Sequence, residues 1–579
     1  MRDGRRPDPR ILDALVRALA HRGPDGHGEY VADTAALANT RLAIIDLETG
    51  DQPLYDDQGA VLVANGEIYN DPELRIELKG VRFATRSDCE PPLYVYRRDG
   101  IGFADALRGM YALAIYDSAS GRLILARDPF GIKQLYYVER PECFAFASEP
   151  QALIAAGLAS RTLRHPAAAE LFQLKFTTGA ETIFADIRRV LPGETLVLTD
   201  GHVRERRRQI ALNDGAPQTA DYAEGVSRLD EVLNDTVSHH LRSDVPYGLF
   251  LSSGIDSSAL AALITRLTGQ PLMAFTAGFP GTAAADESAV ARRVAEAVGA
   301  RHRLIEITAK DFLRLAPRVA AALDDPTTDP AALPTYALAA AASNDVKVVL
   351  TGEGGDEMFC GYSRYYRARR RLFKRHARSR GEFDGLKGMN GMFTAWRDGL
   401  ARVERQAART HDTFIRQLQA VDCAEWLPND LLIKVDRCLM AHGIEGRTPF
   451  LDPVVANFAF PLPDRFKATM RMSKRLLRDW VAANLPAAEP YVRKKGFNPP
   501  VREWIASLQP RLEKQVAQQP GVRAIFTREQ VATAFADLKR HYQAAWSLVF
   551  YALWHSHHVL EIPSDGTIEE VLAQAASLT

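Results

Sequence analysis

Two short loops rich in small residues and carboxylates carry the clearest chemical pattern in this sequence. The first is Ser252-Ser253-Gly254-Ile255-Asp256-Ser257-Ser258, which follows an apolar run and precedes apolar residues at helical spacing. Backbone N–H groups at the start of a helix bind anions, and small side chains let a phosphate group approach. Asp256 belongs beside a phosphate only if a divalent cation bridges the two. A serine-capped helix after an ordinary turn is the alternative for this segment alone.

The second loop, Thr351-Gly352-Glu353-Gly354-Gly355-Asp356-Glu357, follows the apolar run "VKVVL". Ligands of open parallel sheets bind at the carboxyl ends of the strands, and carboxylates can hold Mg²⁺ against a polyphosphate. An acidic, glycine-rich turn without a ligand is the alternative. Together the two loops predict cleavage of ATP with the help of Mg²⁺.

The elements that must position these loops change character along the chain. Residues 1 to about 200 contain short apolar runs separated by Gly, Asp and Pro, which predicts mostly strands, with helices near 10–20 and 90–98. Later, amphipathic helical patterns alternate with the brief apolar runs "YGLFLS", "LMAFTAGF", "HRLIEI" and "VKVVLTG". This alternation is typical of a parallel α/β sheet. Beyond about residue 365 the pattern is mainly helical.

Composition excludes several classes of protein. The chain has 579 residues, with 72 basic and 72 acidic side chains, and this balance argues against a general nucleic-acid or membrane-surface role. The five cysteines are scattered and never in a CxxC spacing, which predicts neither a disulfide framework nor a zinc site and favours the cytoplasm. The basic segment 367–380 suggests either a solvated helix or a charged lid near the nucleotide, in preference to an RNA-binding element.

Motifs across most of residues 20–505 resemble the glutamine-dependent asparagine synthetases. The matching segments are "HRGPDG", "RLAIID", "GDQPL", "NGEIYN", "RSDCE", "RGMYALAIYD", "ARDPFGIKQLYY", the SxGxDS loop, "TGEGGDEMFCGY", "LPNDLLIKVDRCLMAHGIEGRTPFLD" and "YVRKKGFNPPVREW". The resemblance implies an α+β N-terminal nucleophile-type sandwich (αββα) at 1–205, a linker at 206–222, and an α/β parallel-sheet ATP-pyrophosphatase domain (HUP-like) with a helical C-terminal part at 223–579.

The resemblance also implies a glutamine site in the first domain. Asn65 and the Gly66 N–H correspond to an oxyanion hole, whose donors face the negative oxygen of a tetrahedral intermediate. Arg41 corresponds to the residue that pairs with the glutamine carboxylate, and Glu67 and Asp88 to those that hold its ammonium group. Opposite charges at these positions suit an amino-acid zwitterion.

In the second domain the resemblance implies an ATP site, a metal site and a catalytic pair. Asp256 and Asp356 correspond to the Mg²⁺ ligands, Glu353 to the glutamate associated with the β-aspartyl-AMP intermediate, and Lys494 to a transition-state lysine, with Lys495 as its substitute. The implied ATP-binding residues are Phe250, Ser252, Gly254, Asp256, Ser257, Ser258, Ala277, Thr351 and Gly352. The segment containing Asp436, Arg437, Glu445 and Arg447 belongs to the same pocket in the family, without separate roles.

Two departures from the family pattern bear on activity. Ser253 replaces a glycine, which narrows the conformational freedom of the loop. The family begins Met-Cys-Gly-Ile, with the cysteine as nucleophile and its own α-amine as base, whereas here Met1 is followed by Arg2. Two explanations are open: a start assigned too late, or a real loss that leaves an ammonia-dependent enzyme.

The implied reaction forms asparagine from aspartate, ATP and ammonia derived from glutamine, releasing AMP and pyrophosphate. Aspartate, glutamine and ATP are therefore the expected partners, with a homodimer as the expected assembly and neither nucleic acid nor membrane as a ligand. An ammonia-dependent amidating enzyme and a lactam-forming synthetase of the β-lactam or lasso-peptide type are the alternatives. A non-enzymatic scaffold protein is a further alternative, but it would give neither of the two loop aspartates, Asp256 and Asp356, a function.

Overall fold

Short strands separated by turn residues build two β layers in the amino-terminal part of the chain. The computed structural model describes residues 1–284, 288–368, 376–389, 391–492 and 499–578. The strands here are β1 (Gly26–Val31), β2 (Ala36–Arg41), β3 (Leu54–Tyr55), β4 (Ala60–Ile68), β5 (Gly109–Asp117), β6 (Arg122–Arg127), β7 (Tyr136–Glu139), β8 (Phe144–Ala147), β9 (Arg188–Arg189), β10 (Glu194–Thr199) and β11 (His202–Arg208). The helices are α1 (Pro9–Leu19), α2 (Asp71–Glu77), α3 (Pro91–Asp99), α4 (Pro150–Ala155) and α5 (His165–Leu174).

The larger sheet is antiparallel, in the order β11-β10-β6-β5-β4-β3, and alternation along its strands gives it two apolar faces. Leu62 of β4 packs with residues of α2 and α3, whereas Val63 packs towards the layer formed by β1-β2 and β8-β7-β9. Helices α1 and α4 contact each other and cover the outer side of that second layer. The layers therefore follow the order αββα, as the sequence predicts.

The second domain is a doubly wound parallel sheet. Its strands are β12 (Tyr247–Phe250), β13 (Met273–Gly278), β14 (Arg301–Glu306), β15 (Val348–Leu350) and β16 (Glu445–Arg447). They pair in parallel in the order β14-β13-β12-β15-β16, so the chain leaves neighbouring strands β12 and β15 in opposite directions. The predicted strands β12 to β15 are confirmed, and β16 is an addition inside a region predicted as mainly helical.

Helices surround this sheet and form most of the carboxyl-terminal part, as predicted. They are α6 (Tyr222–His240), α7 (Ile255–Thr268), α8 (Ser288–Ala297), α9 (Ala309–Ala322), α10 (Ala332–Ala342), α11 (Gly355–Phe359), α12 (Ser363–Ala368), α13 (Asp398–Thr410), α14 (Phe414–Val421), α15 (Leu432–Met440), α16 (Pro453–Ala459), α17 (Asp464–Lys467), α18 (Arg475–Asn484), α19 (Val501–Ser507), α20 (Arg511–Ala517), α21 (Pro520–Arg523), α22 (Arg528–Ala536), α23 (Leu538–His558) and α24 (Ile568–Ala576). A π-helical stretch, Asp422–Leu431, leads into α15. In the described ranges, none of the helices has the length and apolarity needed to cross a bilayer.

The segment between the last strand of the first domain and the first helix of the second contains little regular secondary structure. Strand β11 continues to Arg208, and α6 begins at Tyr222, where the Asp221 side chain accepts a hydrogen bond from the Glu224 N–H. The stretch without helix or strand is therefore 209–221, inside the linker proposed at 206–222.

Buried charges join the two domains. The Arg22 guanidinium donates to Glu149 at 2.8 Å and to both carboxylate oxygens of Asp436 at 2.9 and 3.0 Å. Arg437 donates to Asp436 and to Asp324, each at 2.7 Å. Burial opposes ionisation of Asp436, but Arg22 and Arg437 outweigh it and lower its pKa to about 2. The domains are therefore held by ion pairs that water does not reach.

Replacing Arg22 by Met should leave Asp436 and Glu149 with one buried cation fewer, because methionine fills the volume without charge. Breaking a buried pair in this way costs about 3–5 kcal/mol, so the urea midpoint should fall. The matched control is Arg10→Met, which removes an exposed pair with Asp8. Equal midpoints for the two variants would contradict this account of the interface.

Candidate functional site

The loop after β12 is held by its own serine hydroxyls. The Ser252 hydroxyl accepts a hydrogen bond from the Gly254 N–H at 3.0 Å, and the Ser258 hydroxyl donates to the Gly254 carbonyl at 2.9 Å. The Ser257 hydroxyl lies 3.1 Å from the same carbonyl. Because Ser257 and Ser258 are both buried, their hydroxyls shape the loop at the start of α7.

The loop after β15 packs directly on the first loop. A Cβ at position 355 would lie 2.4 Å from Asp256 Oδ1, and one at position 352 would lie 2.9 Å from the Asp256 Cβ. Only glycine leaves room for this approach. The two loops are therefore neighbours, as predicted. They lie where the strand order of the sheet reverses, which is where ligands of such sheets bind.

Lys474 joins the two loops and was not predicted. It precedes α18, and its ammonium group donates to Asp256 Oδ1 at 2.6 Å and also contacts Asp356 Oδ1. Its side chain is 2% exposed. Because Lys474 lies 218 residues after Asp256, nothing in its local sequence marks it for this position. One buried cation thus neutralises part of the charge of the predicted metal ligands.

Asp256 and Asp356 fit a magnesium ion that also binds a polyphosphate. Both carboxylates contact one nitrogen atom, so they converge on one point. Mg²⁺ commonly takes one or two protein carboxylates and completes its shell with phosphate oxygens and water. Across the described ranges, no set of three or more His, Cys, Asp or Glu side chains forms a metal cage. A site shared with a phosphate group is therefore the arrangement that these residues suit.

Glu353 lies in a second charged group beside the loops. Lys434 on α15 donates to Asp329 at 3.0 Å and lies 3.7 Å from Glu353 Oε1. Burial raises the pKa of Glu353, although Lys434 opposes the shift. Burial also raises the pKa of the neighbouring Glu357 to about 8, and its carboxyl accepts a hydrogen bond from Tyr362. The negative charges at this edge of the sheet therefore depend on nearby lysines.

The remaining predicted residues of this half fall into two groups. Phe250 ends β12, Ala277 lies near the end of β13, and Thr351 directly follows β15, so all three face the same edge of the sheet. Lys494 and Lys495 lie outside the described residues.

The basic segment 367–380 is only partly described, because residues 369–375 lie outside the described ranges. Arg378 places its guanidinium 4.3 Å from the centre of the Trp426 ring and donates to the Leu174 carbonyl. Arg364 lies against the same ring, at 4.1 Å. Arg378 is thus packed on an aromatic ring and is not a solvated side chain, while the choice between a solvated helix and a charged lid stays a prediction for the rest of the segment.

Hydrogen bonds fix two of the predicted glutamine residues, Arg41 and Asp88. Arg41 donates to the Asp46 carbonyl, and the Asp46 carboxylate accepts from the Arg86 N–H. Two residues later, Asp88 accepts a hydrogen bond from the Ile68 N–H at 2.6 Å, which places it beside the end of β4. Arg41 also pairs with the exposed Asp51 at 2.5 Å.

Asn65 lines a cavity between the two β layers. The cavity has a volume of about 560 Å³ and is also lined by Met1, Leu37 and Ala114. The Asn65 amide nitrogen is buried and has no hydrogen-bond partner in the described part of the chain. A Cβ at Gly66 would lie 2.0 Å from the Met110 carbonyl, so this position requires glycine. An amide donor without a partner is one of the groups that an oxyanion hole requires.

Two buried carboxyl groups, those of Glu67 and Asp88, lie at the carboxyl end of β4. Burial raises the pKa of Asp88 to about 6, and burial together with the Asp88 charge raises the pKa of Glu67 well above its usual value. Two adjacent carboxylates suit a cationic ligand such as an ammonium group. Cys89 lies 3.7 Å from Asp88, but burial and these carboxylates raise the pKa of its thiol. It is therefore poorly suited to act as a nucleophile.

A doubly wound sheet with a small-residue loop at its switch point defines a nucleotide-binding α/β domain. Comparison with known families gives two matches: the asparagine synthase model over residues 228–556 and the glutamine amidotransferase domain model over residues 1–208. The chain belongs to the asparagine synthase family, as the motifs indicate.

Individual relatives cover nearly the whole chain. Glutamine-hydrolysing asparagine synthetase 1 of Bacillus subtilis is 31% identical, over 95% of this chain and 94% of the relative. Asparagine synthetase B of Escherichia coli is 30% identical, over 87% and 82%. Among solved structures, the Bacillus subtilis glutamine phosphoribosylpyrophosphate amidotransferase aligns over 54% of this chain and 81% of its own, with 16% identity and a TM-score of 0.29. That similarity is too low to support a fold assignment.

Replacing Gly355 by Ala should separate the two loops, because the new methyl group would overlap the Asp256 carboxylate. We expect about 1–3 kcal/mol of overpacking strain, which lowers the melting temperature, and an ATP affinity that falls by about tenfold or more because the loops are displaced. The control is Gly102→Ala, where a Cβ has open space. ATP titration by calorimetry provides the measurement, and unchanged affinity in Gly355→Ala would show that the loops do not need this contact.

Glutamine affinity should depend on pH through Asp88. Its carboxyl is ionised above its pKa of about 6 and protonated below it, and only the ionised form attracts an ammonium group. Affinity should therefore weaken by up to about tenfold per unit as pH falls below that value. Titration calorimetry between pH 5 and 7.5 tests this, with Asp88→Asn as the variant expected to lose the part of the step that Asp88 contributes, while the part due to Glu67 remains. A flat profile for the unmodified chain would rule the assignment out.

Proposed function

We propose that this chain is an asparagine synthetase that activates the side-chain carboxylate of aspartate with ATP and transfers ammonia to it. The observation that supports this most directly is the convergence of Asp256 and Asp356 on Lys474 at the switch point of the sheet. The Bacillus subtilis relative that is named for this activity matches 95% of the chain. Aspartate, ATP and an ammonia donor are thus the proposed substrates, and Mg²⁺ the proposed metal.

In this proposal the loops bind the polyphosphate and order the reacting groups. A carboxylate is a poor electrophile, so an aspartate oxygen attacks the α-phosphorus of ATP and pyrophosphate leaves. Ammonia then attacks the acyl carbon, AMP leaves, and the excess proton passes to a base. Mg²⁺ held by Asp256 and Asp356 would neutralise phosphate charge. Lys474 would supply a further positive charge beside the departing pyrophosphate, and the N–H groups at the start of α7 would donate to it.

Glu353 is the proposed acidic group nearest the aspartate substrate. Its carboxylate shares Lys434 with Asp329, so a substrate ammonium group would enter an environment with more acidic than basic side chains. This supports an amino-acid substrate. The proposed role of Lys494 rests on the family motif alone.

Glutamine is the proposed source of ammonia, bound by Arg41, Asn65, Gly66, Glu67 and Asp88. Its hydrolysis needs a nucleophile, and all five cysteines are buried. A second candidate function is the same synthetase reaction with free ammonia. A lactam-forming reaction on another carboxylate is the third outcome that product analysis would reveal. The buried, unpaired thiols support a cytoplasmic location.

An assay of product formation tests the function. The full chain is incubated with ATP, Mg²⁺ and aspartate, with either ammonium or glutamine as the nitrogen source, and asparagine and AMP are measured by mass spectrometry. Asparagine with ammonium supports the synthetase reaction, and asparagine with glutamine supports both half-reactions. AMP without asparagine would point to another carboxylate or acceptor, and no AMP under either condition would refute the proposal.

Replacing Asp256 by Asn should abolish the adenylation step, because the neutral amide cannot hold the cation that shields the phosphates. We expect ATP–pyrophosphate exchange to fall by about a hundredfold or more. Asp345→Asn is the matched control, since Asp345 forms a pair with Arg303 away from the loops. Exchange at the unmodified rate in Asp256→Asn would count decisively against adenylation at this site.

A further inference from the structure

Arg447 connects the two proposed substrate sites. It ends the edge strand β16, and its guanidinium Nη2 lies 3.2 Å from Glu67 Oε1 in the first domain. Its backbone carbonyl accepts a hydrogen bond at 2.9 Å from the N–H of Thr351, the first residue of the loop after β15. One residue therefore contacts a proposed glutamine ligand through its side chain and the proposed ATP loop through its backbone.

The guanidinium is fixed from several sides. Nε donates to Glu445 at 2.9 Å, and Nη1 donates to the carbonyls of His240 and Arg242 at 2.8 and 2.6 Å. Arg447 is fully buried, so solvent does not weaken these contacts. A movement of β16 would therefore carry the guanidinium with it.

The contact with Glu67 is the weakest of these interactions. In the described part of the chain, Nη2 has no partner with hydrogen-bond geometry, although the Glu67 carboxylate lies at ion-pair distance. Burial, Asp88 and Glu445 all oppose ionisation of Glu67, while Arg447 and Lys133 favour it. Small displacements of Arg447 would thus change how well Glu67 can hold a cation.

We propose that Arg447 is a positioning residue that makes glutamine binding depend on occupation of the ATP loop. This inference rests on the proposed function. The Thr351 N–H holds β16 through the Arg447 carbonyl; a nucleotide bound to the loop after β15 would restrain this contact further, so that Arg447 keeps Glu67 ionised and oriented for the ammonium group of glutamine. Since linkage is reciprocal, glutamine should tighten nucleotide binding by the same factor.

The test measures glutamine affinity by titration calorimetry, with and without a non-hydrolysable ATP analogue, Mg²⁺ and aspartate. In the unmodified chain we expect the mixture to tighten glutamine binding by about fivefold or more. In Arg447→Met the factor should fall to about one, and the pH at which binding is half lost should rise, because Glu67 loses its nearest cation. A purely structural role of Arg447 would not shift that pH.

Two further variants test whether the effect is specific to Arg447 and whether it depends on the charge of that residue. Arg108→Met removes another arginine between the domains, which pairs with Asp452 and Asp235, and should leave the coupling factor unchanged. Arg447→Lys keeps a buried charge, so it should restore the pH midpoint but lose at least half of the coupling factor, since one ammonium group cannot make all the contacts. It also replaces Arg447→Met if the latter does not fold.

The outcomes separate this inference from the proposed function. Coupling retained in both Arg447 variants would overturn the inference while leaving glutamine binding established. No glutamine binding in the unmodified chain would overturn both the inference and the glutamine site, whereas ammonium-dependent asparagine formation would still support the synthetase reaction. Equal loss of coupling in Arg108→Met would also overturn it, because the effect would then belong to the interface as a whole.

Discussion

The orientation of the two domains depends on charges that are buried where they meet. Arg22, Glu149, Asp436, Arg437 and Asp324 form a continuous group of ion pairs, and each member needs a partner of opposite charge because all five side chains are buried. Such groups contribute less stability than apolar packing of the same volume, but a different orientation of the two domains would leave a buried charge without its partner. The buried ion pairs therefore specify how the two domains are oriented. The positions of the residues on either side of the interface are fixed relative to each other as a result.

Both proposed reaction sites are assembled from parts that are distant in sequence. At the ATP loops, the glycines at 352 and 355 let the second loop contact Asp256 more closely than any side chain would allow. Lys474 comes from the segment that precedes α18. At the glutamine residues, the end of β4 meets Asp88 through a backbone hydrogen bond. In each site, contacts of the backbone determine how closely the elements approach, and a few charged side chains determine which ligands can bind. Movement of one element without the other would therefore separate the binding residues.

Much of this arrangement follows from local sequence patterns. Apolar runs of strand length predicted β12 to β15, and the small-residue loops at their ends identified the switch-point site. Strand β16 was missed because it is three residues long and contains two charged side chains, Glu445 and Arg447, which pair with each other and with residues of the other domain. Lys474 and Lys434 were missed for a related reason: a lone lysine has no local signal, and only the folded chain shows which carboxylates it meets. The packing of Arg378 on Trp426 was hidden in the same way by a basic run.

Lys474 has a consequence for the behaviour of the protein in different salt solutions. Exposed ion pairs such as Arg10 with Asp8 weaken as ionic strength rises, because mobile ions screen charges over about 10 Å at 0.1 M. Lys474 is covered by protein, so mobile ions screen its pairs with Asp256 and Asp356 less than they screen an exposed pair. The chain thus carries its own counter-ion at this point, and the attraction that it supplies between the two loops depends little on the salt concentration of the solution.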